Sequence, residues 1–84
     1  MSTFSIHIVN SDFVSTNSLE ASSPEAARSE ALRGALQIGT EEICKGSPFF
    51  GAEISIKNGG EVVERMMVAI GSSTLRQQAS ASVP

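Results

Sequence analysis

The chain has 84 residues, six basic against nine acidic side chains for a net charge of −3, and is 40% hydrophobic and 18% charged, the balance of one small globular domain. A negative net charge gives no electrostatic pull toward nucleic acid or an anionic membrane. One Cys excludes a disulfide framework and a multi-thiolate metal site within the chain, and one His excludes a site built from several histidines. In the C-terminal half the longest apolar run, Met66 to Ile70, is far short of the ~20 residues a spanning helix needs. The first residues, Met1-Ser2-Thr3-Phe4-Ser5, carry neither a basic n-region nor an apolar h-region of a secretory signal. The expectation is a soluble, cytoplasmic, single-domain protein.

Thr3-Phe4-Ser5-Ile6-His7-Ile8-Val9 alternates, with Phe4, Ile6 and Ile8 on one face and Ser5 and His7 on the other, which predicts a half-buried strand. Asn10-Ser11-Asp12 has turn chemistry, because Asn and Asp side chains bond nearby backbone. Phe13-Val14-Ser15-Thr16 resumes β-prone residues, so a hairpin follows; Asn17 and Ser18 weaken its second strand, which reads as an edge.

Ser23-Pro24-Glu25 opens a helix: a capping hydroxyl, a Pro suited to the first helical position, and an acid at the positive end of the dipole. Ala27, Ala31, Leu32, Ala35, Ile38, Gly39 and Ile43 recur at three- and four-residue spacings on one arc, and Ser29, Arg33, Gln37, Thr40 and Glu41 fill the other. The helix should end near Cys44 or Lys45, stopped by Gly46 with Pro48 beyond. Its small-residue stripe suits close packing on a sheet, and that closeness is the reason to keep Gly39 despite a helix cost of roughly 1 kcal/mol.

Ala52-Glu53-Ile54-Ser55-Ile56-Lys57 alternates again, and Asn58-Gly59-Gly60 is a strong hairpin signal. The returning strand is expected over residues 61–70. Val62, Met66, Val68 and Ile70 share one parity, broken by Glu64; Val63, Met67 and Ala69 share the other, broken by Arg65, so a bulge is expected near Glu64 and Arg65. Residues 3–70 then form one α+β domain of order ββαββ, a four-stranded antiparallel sheet (order 2-1-3-4) with the helix on one face. Residues 71–84, rich in Ser, Gln and Ala, are expected to be a disordered tail.

On Phe4-Ser5-Ile6-His7-Ile8, on Glu25-Ala26-Ala27-Arg28-Ser29-Glu30-Ala31 and on the closing Asn-Gly hairpin, the chain resembles a family of short proteins of rhizobia and related alphaproteobacteria, known only as a domain of unknown function. The resemblance covers roughly Thr3 to Ile70. It departs in the second strand, where Ser15-Thr16-Asn17-Ser18 replaces an acidic stretch with a Gly. It implies the fold and a bacterial setting, and brings no activity and no functional residues.

The candidate chemistry is sparse. His7 is placed on the outer face beside Ser5, where a general base would need an orienting acid that the neighbouring sequence lacks. Cys44 falls at a helix C-terminus, which opposes a thiolate, although Lys45 adjoins it. Gly34, Gly39 and Thr40 have phosphate-loop spacing without the Lys and inside a helix; Gly46 to Gly51 also lacks the Lys and reads as a loop that plugs the core with Phe49 or Phe50. Adjacent Glu41 and Glu42 point to different sides of the helix. Arg28, Arg33, Lys45, Lys57, Arg65 and Arg76 are scattered among acids, and without Tyr or Trp the sheet offers no stacking platform of the RNA-binding kind.

No catalytic, cofactor-binding or metal residue is therefore assigned, and no cofactor is expected. The expected function is a non-enzymatic interaction or regulatory module, acting as a homodimer through the open sheet face or an edge strand, or with a protein partner. The alternatives are an antitoxin-like or RNA-binding module and an enzyme whose site is shared between chains.

Overall fold

A computed structural model describes residues 1–75. The elements run β1 (Ser2–Val9), β2 (Val14–Ala21), α1 (Pro24–Cys44), β3 (Phe49–Asn58) and β4 (Glu61–Gly71). All neighbouring strands are antiparallel and the sheet order is β2-β1-β3-β4, the ββαββ, α+β arrangement that the alternation of β1 and β3 predicts. The expected tail lies mostly at residues 76–84, outside the described residues. Its first expected residue, Gly71, belongs to β4 and pairs with Phe49, and the Ser72 N–H donates to the Pro48 carbonyl at 2.9 Å.

Local chemistry sets the boundaries. In the β1–β2 turn the Asn10 side-chain oxygen accepts from the backbone N–H of Asp12 at 2.8 Å and of Phe13 at 3.0 Å. The Ser23 hydroxyl caps α1 by accepting from the Ala26 N–H at 3.1 Å. Gly46, at φ +115°, turns the chain out of the helix. Between β3 and β4, Gly59 and Gly60 both have positive φ, as a tight two-residue hairpin with a type I′ turn requires.

The core lies between α1 and the inner face of the sheet. Phe4, Ile6, Ile8, Ala52, Ile54 and Ile56 are buried there beneath Ala27, Ala31, Ala35 and Gly39 of the helix. Seven of the eight expected core residues are buried; the eighth, Ile38, is only half-buried, because the contact stripe is the strict four-residue row of small residues and Ile38 sits beside it.

Two sheet readings differ from the sequence expectation. Strand β3 begins at Phe49, so Phe49, Phe50 and Gly51 are strand rather than loop. The reason is parity: Phe50 continues the inward row of Ala52, Ile54 and Ile56 and pairs with Ile70. In β4 the register shifts between Ile56 and Lys57, which face Glu64 and Val62, so Val63 is the extra residue. The bulge thus falls one residue before the expected pair. It turns Glu64, Met66, Val68 and Ile70 toward α1 and sends Val62 to the outer face with Arg65 and Met67.

Candidate interaction surface

The single helix covers one face of the sheet and leaves the other open. Cross-strand pairing orders the side chains of that open face into rows. One row is Val14, Val9, Glu53 and Met67; the next is Thr16, His7, Ser55 and Arg65; a third is Ser18, Ser5, Lys57 and Val62. Beyond the first row, Ala69 lies opposite Gly51 and Gly71 opposite Phe49. A Cβ built on Gly51 would come within 2.9 Å of the Phe49 ring, so Gly51 lets that ring lie across the sheet.

The face is consequently divided. At one end Phe49 is 64% exposed, Met67 74%, Val14 70% and Val9 41%, four apolar side chains in neighbouring positions. Toward the other end the face is polar. The Ser5 hydroxyl is 3.1 Å from His7 Nε2 and the Thr16 hydroxyl 3.3 Å from His7 Nδ1. Each ring nitrogen therefore meets a hydroxyl, one able to donate and the other to accept according to tautomer. Both partners are hydroxyls, whereas an activated base takes a carboxylate as its orienter. Glu53, the acid of the adjoining row, pairs with Arg65. That hydrogen bond, and then the carboxylate charge, hold the Arg65 guanidinium above its already high range.

The remaining candidates lie apart from this face. Cys44 is exposed at the last residue of α1. Phe50 enters the core and stacks on Phe13 with ring centroids 6.4 Å apart, while Phe49 is the surface partner of the pair. Gly39 faces Phe50 and Ile70 as a packing contact, and Gly34 faces open space. Arg28 pairs with Glu64 at 3.2 Å, Arg33 with Glu30 at 3.7 Å and Lys45 with Glu42 at 3.5 Å, so the cations are dispersed among acids. Arg76 lies outside the described residues.

Sequence reasoning placed Ser5, His7, Glu53, Ser55 and Lys57 on the outer face, and the structure puts them there. It missed the apolar end, because Phe49 was not read as strand and the β4 register was open. The parity of Phe49 with Gly51 and Glu53 was the available signal. Among the described residues no group of three or more His, Cys, Asp and Glu side chains is gathered as a metal site, and no helix is long and apolar enough to cross a membrane. Compared with known protein families, with curated proteins and with solved structures, the chain matches none.

Proposed function

We propose that the protein is a non-enzymatic interaction module that acts as a homodimer through the open face of its sheet. The observation that carries this reading is the grouping of Phe49, Met67, Val9 and Val14 at one end of that face. Together they leave on the order of a few hundred Å² of apolar surface in one place, the size at which a patch marks an interaction site. A second copy is favoured as the partner by the charges of the face. Glu20 and Glu53 are matched by Lys57 and Arg65, so the surface is neutral and self-complementary under a two-fold axis. The same match argues against a nucleic-acid partner, which selects a surplus of cations. His7, Ser5 and Thr16 then form the polar rim of the interface, with the apolar end as its core.

Hydroxyl-radical footprinting over a protein concentration series tests this. Labelling of Met67 and Phe49 should fall as the protein associates, while Met1, which is 92% exposed and away from the patch, keeps its labelling as an internal reference. Constant labelling of Met67 across the series would remove the proposal.

A further inference from the structure

The two edges of the sheet are not alike. β4 is interrupted by the bulge at Val63 and carries Glu61, Glu64 and Arg65, devices that discourage a further strand from pairing. β2 has none of these. Its eight residues pair with β1 in unbroken register, it contains neither Pro nor bulge, and its one charge is Glu20. As the terminal strand of the order β2-β1-β3-β4, it presents one side of its backbone without a neighbouring strand.

Beside that edge, on the face opposite the apolar patch, the helix leaves part of the sheet uncovered. A groove of about 170 Å³ runs between α1 and β2, walled by Ile6, Ile8, Leu19, Ala31 and Gly34. Its one charged lining residue is Glu30, on the helix side. We infer that β2 and this groove take an extended segment of a partner protein as a fifth strand, its alternate apolar side chains entering the groove and its basic residues meeting Glu20 and Glu30. Strand addition combines both features: the backbone ladder gives affinity, and the groove selects alternate side chains. A second copy of β2 fits less well. In either symmetric antiparallel register, with Asn17 or Ser18 opposite itself, it would bring Ser15 and Asn17 to an apolar groove. Those two side chains already bond each other at 3.2 Å. The site does not depend on self-association through the open face.

The probe is a short capped peptide with Leu and Val at alternating positions, Thr between them and Lys at both ends. It is titrated into the full-length, isotopically labelled protein and followed by NMR. The expected result is saturable shifts of the β2 amides and of Gly34. Gly34→Leu fills the groove without disturbing the fold, since a Cβ there meets nothing within 4 Å. That variant should melt no lower than the wild type and bind the peptide at least about tenfold more weakly. N-methylation of alternate peptide amides, which removes the ladder, should abolish binding. The inference is overturned by the absence of saturable β2 shifts at millimolar peptide, by equal binding to Gly34→Leu, or by equal binding of the methylated peptide. It is also overturned by β2 shifts that follow protein concentration without peptide, which assign the edge to a second copy.

Discussion

Gly39 lies against the ring of Phe50 with no room for a side chain: a Cβ there would stand 2.6 Å from Phe50 Cδ2 and 2.6 Å from Ile70 Cδ1. This contact fixes how closely the end of α1 approaches β3 and β4. Helix propensity alone favours Ala over Gly by about 1 kcal/mol, and the two helical glycines separate that effect from packing. Gly39→Ala should destabilise by about 1–3 kcal/mol, because the ring and Ile70 must move. Gly34→Ala, which meets open space, should stabilise by roughly 0.5–1 kcal/mol. Denaturant unfolding of the two variants gives both signs, and a stabilised Gly39→Ala would show that the helix sits farther from the sheet.

Ile54 is fully buried in β3, a central strand, paired with Ile8 on one side and Met66 on the other. Its truncation leaves a cavity under a helix whose contact stripe of Ala and Gly has few atoms with which to fill it. Ile54→Ala should therefore cost about 2–5 kcal/mol in chemical denaturation, a large share of the stability of so small a domain. A loss below ~1 kcal/mol would mean that the strand faces the other way.

Adjacent methionines in β4 report its register. Met66 packs against the core, half-buried, and Met67 is 74% exposed on the open face. Met66→Lys should lower stability by about 1–3 kcal/mol by drawing a charge toward the apolar layer, whereas Met67→Lys should stay within about 0.5 kcal/mol of the wild type. Thermal unfolding at low protein concentration, where association does not contribute, distinguishes them. The reverse order would place the bulge elsewhere than Val63.

Where local pattern and tertiary packing demand the same thing, the sequence is easily read. Phe4, Ile6 and Ile8 alternate on β1, Ile54 and Ile56 on β3, and each pair of rows meets across the sheet. The Ser23 cap, the Gly46 stop and the Gly59-Gly60 turn each have a residue that only one geometry suits. Phe49 and Phe50 were harder, since two adjacent aromatics carry no alternation of their own, and only the pairing with β4 makes them strand. The β4 register was harder still. A bulge changes which residues share a face, so Val62 joins Arg65 and Met67 on the outside only once Val63 is taken out of the count. The apolar end of the open face depends on both of these features, and for that reason it appears in the folded chain and not in the linear one.

Sedimentation equilibrium of the wild type and of Met67→Lys at micromolar concentration weighs the proposed self-association. The wild-type mass should rise from 8.8 kDa toward twice that value with concentration, and Met67→Lys, folded as judged by its melting, should remain at 8.8 kDa. A wild-type mass of 8.8 kDa throughout, or a Met67→Lys variant that associates as the wild type does, would contradict dimerisation through the open face.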